Sequence, residues 1–244
     1  MEVHHAHHPN HKKKATEYFL EFFMLFFAVL LGFFAENQRE GLVERHRETQ
    51  YMQSLYEDLK VDLATLKALK AGYNYQILKI DTANSLLNNG IFDKTNTATL
   101  YRVNLKTLGS RGLNLNNRTS AQLKNAGGMR LIENQEISNK ISEYWQIAEY
   151  FDKYEESIAQ LKLQAREKSY SIFNQKYYLN FDKGSVSEDV ELMTKDRLVL
   201  TEFNNRLNHI KNGMNNVQIR YLDKLVILVN GLITDLKKEY KIKE

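Results

Sequence analysis

The longest apolar run of the chain extends from Tyr18 to Ala35 (YFLEFFMLFFAVLLGFFA), directly behind Lys12, Lys13 and Lys14. Eighteen residues at about 1.5 Å each reach about 27 Å, close to the roughly 30 Å hydrocarbon core of a bilayer, so the run predicts a membrane-crossing helix. Its Phe, Leu and Val side chains, at roughly 0.3 to 0.6 kcal/mol each on an insertion scale, outweigh the cost of Glu21 near one end. After the span the pattern turns periodic. Apolar positions recur in steps of four and three through Met52, Tyr56, Leu59, Leu63, Leu66, Tyr73, Ile77, Ile80 and Leu87, with Lys70 and Asn84 as the two polar members of the seam. That is the heptad spacing of a helix packed along its length, and Asn88-Asn89-Gly90 supplies a stop. Only Gly41 and Gly72 weaken the chain between Ala35 and Leu87, so the membrane helix is expected to continue straight into this one.

A second pattern starts after Asn134, a predicted N-cap with Glu136 in the first turn. It runs through Ile137, Ile141, Tyr144, Ala148, Phe151, Ile158 and Ala165, with an expected end near Tyr178. A third runs Phe203, Leu207, Ile210, Met214, Val217, Tyr221, Leu225, Leu228, Leu232, where two successive steps of four shift the seam. Leu225 to Ile233 is locally very apolar but too short to span a bilayer, so it reads as bundle core. Between the first two patterns, Thr97–Leu108 and Asn117–Ala126 form an interrupted return leg broken at Gly109-Ser110-Arg111-Gly112. Up, broken down, up and down predicts an all-α fold: an N-terminal transmembrane helix continuing into an elongated, coiled-coil-like antiparallel helical bundle. The expected regions are a disordered His- and Lys-rich tail (1–14), a transmembrane helix (15–36) and one helical-bundle domain (37–244).

Composition narrows the chemistry. The chain has no cysteine, which excludes disulfides, thiol nucleophiles and cysteine-held metals. Its net charge of +4 comes from 34 basic and 30 acidic residues interspersed along the sequence, which is no nucleic-acid signature. The sole proline, Pro9, precedes the span. A cleaved signal peptide would need a shorter apolar region and a small residue where Phe33 stands, so the span is expected to stay as an anchor. Flanking positive charges are balanced, Lys12 to Lys14 against Arg39, Arg45 and Arg47. A short tail remains inside more readily than a long domain resists translocation, so the N-terminus is expected in the cytoplasm and the domain in the periplasm.

Within the span, Glu21, Leu25, Ala28, Gly32 and Ala35 share one face, and Ala28 with Gly32 makes a small-xxx-small pair that lets two helices approach closely. Glu21, Leu25, Ala28 and Gly32 are therefore the candidate membrane-helix association residues. As an acid one turn inside the membrane edge, Glu21 reads either as a functional carboxylate or as one reaching the headgroups, the latter being the stronger reading. His4, His5, His7, His8 and His11 offer imidazoles without fixed geometry, and no metal site is assigned to them. In Arg118–Ile132, Gly127 and Gly128 either expose donors to an anion gathered by Arg111, Arg118 and Arg130, or simply turn the chain between helices. Asn204, Asn208, Asn212 and Asn215 share a face beside Gly213, a polar surface or a soft point in the last helix. His46 and His209 are isolated, and no catalytic, cofactor or metal motif is found.

The segments HHAHHPNHKKK, LLGFFAENQRE, QYMQSLYEDLKVD and RTSAQLKNAGGMRLIENQEI, in this order, resemble an uncharacterised family of membrane-anchored proteins of Bacteroidota, a domain of unknown function. The resemblance implies an inner-membrane protein of a Gram-negative cell and carries no catalytic residues. The expected function is that of a non-enzymatic, single-span protein whose periplasmic bundle binds a protein partner or a second copy of itself, or acts as a scaffold, without a cofactor. A sensory or regulatory input module, an accessory subunit of an energised membrane complex using Glu21, and an enzyme are the alternatives.

Overall fold

Capping residues set the helix boundaries. The computed structural model describes residues 14–109, 115–125, 127–180, 184–187 and 189–243. Helix α1 (Ala15–Asn89) ends where Gly90 takes a left-handed φ of 68°. Asp93 then starts α2 (Lys94–Thr107) by accepting from the Asn96 backbone N–H at 2.7 Å. Helix α3 (Arg118–Asn125) is followed by Gly127, with φ 66°, and a 3₁₀ turn over Gly128–Leu131. As predicted, Asn134 caps α4 (Gln135–Ser169), accepting from the N–H groups of Glu136 and Ile137 at 3.1 and 3.2 Å. Asp196 caps α5 (Arg197–Val217), a π turn covers Gln218–Leu222, and α6 (Asp223–Glu239) follows.

The chain divides into two units, Met1–Gln50 and Tyr51–Glu244. In the first, α1 carries an eighteen-residue window of mean hydropathy 2.2, none of it buried, long and apolar enough to cross a membrane. Phe33 is 74% and Leu25 69% exposed. At about 1.5 kcal/mol or more per large apolar side chain, this surface is a heavy cost in water and none in lipid. The helix then turns polar, with Arg39 and Glu36 paired one turn apart at 2.5 Å.

The second unit is all-α with one small sheet. Met52, Tyr56, Leu59, Leu66, Tyr73, Ile80 and Leu87 of α1 are buried against Ile137, Ile141, Tyr144, Phe151, Ile158 and Ala165 of α4 and the apolar faces of α2, α5 and α6. Side-chain bonds fix the directions. Asp62 meets Tyr144 and Gln76 meets Lys162, so α4 runs parallel to α1. Asn88 meets Asn204 and Asn84 meets Asn208, so α5 runs antiparallel to it. Gln76 meets Gly109 and Asp58 meets Thr119, so the broken leg of α2 and α3 also runs back along α1. The up, broken down, up and down order is the observed one.

The structure departs from the periodicity in several places, beginning with α2, which starts at Lys94 rather than Thr97 because Asp93 caps it. Helix α4 stops at Ser169 rather than near Tyr178, because the Ser169 hydroxyl donates to the Arg166 carbonyl at 2.7 Å and the chain turns away. The following residues make a two-stranded antiparallel sheet, β1 (Tyr178–Asn180) with β2 (Ser185–Val186), too short for a strand pattern to register. Helix α5 begins at Arg197, one and a half turns before Phe203, because Asp196 accepts from Leu198 and Val199 at 2.8 and 3.0 Å. The π turn also moves the seam, placing Leu222 in the core and Tyr221 on its flank against Tyr154, ring centroids 5.0 Å apart.

Gly128 has a steric role. A Cβ there would lie 2.9 Å from Leu123 Cδ2 and 3.2 Å from Leu123 Cα, whereas one on Gly72 meets nothing within 4 Å. Gly128→Ala is expected to destabilise the bundle by about 1 to 3 kcal/mol. Gly72→Ala, in mid-helix, should stabilise it by about 0.5 to 1 kcal/mol. Urea unfolding followed by circular dichroism measures both, and equal effects would contradict this packing.

Candidate functional site

Two carboxylates sit one helical turn apart on the buried face of α1, Asp58 at 2% and Asp62 at 1% exposure. Buried like charges at this spacing persist only when donors surround them. Asp58 Oδ2 accepts from the Thr119 N–H at 3.2 Å and the Thr119 hydroxyl at 2.5 Å, while Oδ1 accepts from Asn116 Nδ2 at 2.6 Å and Arg118 Nη2 at 3.4 Å. Asp62 accepts from the Asn116 N–H at 2.7 Å and the Tyr144 hydroxyl at 2.6 Å. Asp58 therefore serves as the anion at the N-terminus of α3, where free backbone N–H groups favour negative charge. Burial raises the Asp62 pKa, opposed by the bonds from Asn116 and Tyr144, and the Asp58 charge raises it further. Burial, then the charge of Asp62, pushes the Tyr144 hydroxyl well up, so it keeps its proton and donates. The cluster ties α1, α3 and α4 together, its acceptors occupied by internal donors.

A complementary arrangement closes the end of α2. Lys162 of α4, 5% exposed, donates to Gln76 Oε1 at 3.0 Å and the Gly109 carbonyl at 3.1 Å, and Gln76 Nε2 also reaches Gly109 O at 3.2 Å. Arg166 Nη2 donates to Leu108 O at 2.5 Å. Cations thus face the carbonyl end of α2, the sign its dipole favours. One turn before Ile158 lies Glu155, whose Oε1 is buried without a hydrogen-bond partner. Burial raises the Glu155 carboxyl to about 7 against the pull of Lys162. Burial likewise lowers Lys162 to about 8, with Glu155 opposing and Arg166 reinforcing the shift. Beside this region Asn104, Arg166 and Tyr178 line an open cavity of about 390 Å³. Asn104 donates to the Tyr178 hydroxyl at 2.8 Å, and its buried Oδ1 has no partner.

The residues singled out in the sequence fall in several places. Glu21, Leu25, Ala28 and Gly32 lie on the unburied part of α1, Glu21 half-buried, with nothing within 4 Å of a Cβ on Gly32. Gly127 and Gly128 form a turn between helices. Arg118 is drawn to Asp58 at the far end of α3, about 12 Å away along that helix, and Arg130 is exposed, so of the two readings of this glycine pair it is the turn between helices that these residues fit, and Arg118 and Arg130 do not gather around it as an anion site. Arg111 and the tail histidines lie outside the described residues. Among the described residues no three His, Asp or Glu side chains group as metal ligands. Asn204 and Asn208 of the asparagine face are bonded across to Asn88 and Asn84, and His46 sits 3.0 Å from Gln50. Asp58, Asp62, Glu155 and Lys162 were missed as a group; Glu155 and Lys162 signalled themselves as charge where the α4 seam asks for apolar residues, whereas Asp58 and Asp62 flank the α1 seam and gave no such signal. Comparison with protein-family models, curated proteins and solved structures finds no match to this chain.

Replacing Asp58 by Ala leaves buried donors unpaired at α3, and a loss of about 3 to 5 kcal/mol in unfolding free energy is expected. A loss under about 1 kcal/mol would remove Asp58 from this role. For Glu155 the folded pKa lies above the unfolded one, so its favourable contribution is complete below about pH 4.5 and is lost as pH rises through about 7. Lys162, shifted down, disfavours the fold while charged and is relieved above about pH 8. Glu155→Gln should accordingly be more stable than wild type by on the order of 1 kcal/mol near pH 7.5, after discounting for part exposure, with the difference gone near pH 4. Denaturant midpoints at the two pH values decide it.

Proposed function

We propose that this chain is a non-enzymatic, single-span inner-membrane protein. Its N-terminus faces the cytoplasm and its helical bundle lies in the periplasm, where it binds a protein partner or serves as a scaffold. One observation carries the reading: the apolar window of α1 is wholly unburied by the rest of the chain, so lipid or another apolar span must cover it. The open face around Ala28 and Gly32 supports close helix pairing as part of that role. The internally paired carboxylates of the bundle support a rigid binding body rather than reactive groups held open to a substrate. The resemblance to membrane-anchored proteins of Bacteroidota agrees with this placement.

The intact chain is expected to remain in vesicles washed with carbonate and high salt, and a variant lacking residues 18–35 to leave them. A reporter fused after Glu244 should be active only outside the cytoplasm, and a cytoplasmic signal would reverse the orientation. Crosslinking in gentle detergent should capture a second protein or a second copy of the chain. Recovery of monomer alone would defeat the scaffold reading, and a Glu21→Gln variant with unchanged assembly would remove any role for that carboxylate.

A further inference from the structure

Glu155 and Lys162 stand two turns apart on α4, about 10 Å along the helix and within about 20° of the same face. Helical side chains lean toward the N-terminus, so Lys162 leans toward Glu155, and a lysine and a glutamate are together long enough to close that gap. In the structure the two are not joined. Lys162, 5% exposed, donates instead to Gln76 Oε1 at 3.0 Å and to the Gly109 carbonyl at 3.1 Å, while Glu155 Oε1 is buried without a hydrogen-bond partner. A buried cation thus rests on neutral acceptors beside a buried carboxyl that lacks a donor, and each holds what the other wants. Among the described residues, Lys162 is the charge that acts on Glu155, and Glu155 and Arg166 are those that act on Lys162. Arg166 is fixed on the Leu108 carbonyl. The charges of the neighbouring helices are matched elsewhere, Lys70 with Asp223, Lys211 with Asp81 and Arg206 with Glu202. His209 lies with Arg206 and Glu202 in a separate cavity, and Arg102 and Lys106 of α2 are exposed.

This arrangement has one alternative. A protonated Glu155 is a poor rival to the Gly109 carbonyl, but an ionised one is a stronger acceptor for an ammonium than any neutral oxygen. Lys162 cannot serve both, because the Gly109 carbonyl and Glu155 lie on different elements. We propose that Lys162 is a proton-controlled latch: with Glu155 protonated it holds the Gly109 end of α2, and when Glu155 gives its proton to water Lys162 turns to the carboxylate and loosens that end. Leu108 and Gly109 also form one wall of the cavity of about 390 Å³, so the latch makes the fixity of that wall depend on pH near neutrality. The device is independent of the membrane reading and of what the bundle binds.

Hydrogen exchange read by mass spectrometry on the full chain in detergent, corrected for the intrinsic pH dependence of exchange, tests the latch. Protection of residues 104–109 should fall about fivefold to tenfold between about pH 6 and about pH 8, because the closed form keeps up to about pH 7 a proton that the open form has already lost. Lys162, lowered to about 8, works in the opposite sense only toward the top of that range. Over α5 and α6 protection should stay level, which separates local release from a change in global stability. Glu155→Gln, neutral at every pH, should keep the low-pH protection of residues 104–109 to within about twofold across the range. Lys162→Met should lower it about tenfold at about pH 6, and if that variant loses the fold, the Glu155→Gln profile alone decides. A pH response that persists in Glu155→Gln, an equal fall over α5 and α6, or a level wild-type profile would each overturn the proposal.

Discussion

A helix that stops inside a bundle leaves several backbone groups at its end without intrahelical partners, and those groups must be met where water has little access. The return leg of this bundle stops twice, at the end of α2 and at the start of α3. The rest of the domain is arranged around that fact. Asp58 lends a carboxylate to the N–H end of α3, and Lys162, Arg166 and Gln76 lend donors to the carbonyl end of α2. Each charge has the sign that the local helix dipole favours. Because the donated groups come from α1 and α4, the break in one leg becomes the reason the other two are held in register.

The opposite side of α1 is registered by a ladder of polar pairs. Asn88, Asn84 and Asp81 meet Asn204, Asn208 and Lys211, with equal steps along the two helices. Between Asp81 and Lys70, eleven residues of α1 are matched by twelve from Lys211 to Asp223. The additional residue is absorbed by the π turn at Gln218–Leu222, whose exit is marked by the Asp223 N–H bonding to Gln218 O, five residues back. Without that turn, either the Lys70–Asp223 pair or the asparagine pairs would be out of step. The π turn therefore reconciles two sets of contacts that an unbroken helix could not satisfy together.

Much of this was legible because long helices write their buried face into the sequence. The seam of α1 reads correctly down to its exceptions: Lys70 and Asn84, the polar members, are the two that find polar partners across the interface. The two successive steps of four at Val217, Tyr221 and Leu225 were the trace of the π turn, although the sequence put Tyr221 where the structure puts Leu222. What was not legible depends on groups far apart in the chain. Asp58 and Asp62 look like ordinary surface acids of an amphipathic helix until Asn116, Thr119 and Tyr144 are folded against them. Glu155 and Lys162 occupy seam positions that apolar periodicity skips without comment. Cap-determined boundaries also escaped, since Asp196 begins α5 before its apolar pattern does, and a sheet of two short strands leaves no alternation to detect.

The distribution of unmade hydrogen bonds follows from what each kind of group costs when left unpaired. A buried ion without partners is far more costly than a buried amide lacking one bond, so Asp58 and Asp62 are surrounded by donors while Asn84, Asn104 and Asn204 each keep an unpartnered oxygen. Glu155 obeys the same rule by another route: with a buried oxygen unmatched, its carboxyl shifts toward the neutral form. Among the described residues unfilled polar capacity thus collects mostly on neutral groups, with the Nε of Arg206, whose Nη2 is bonded to Glu202, as the charged exception, and two of the neutral ones, Asn104 and Asn204, line open cavities.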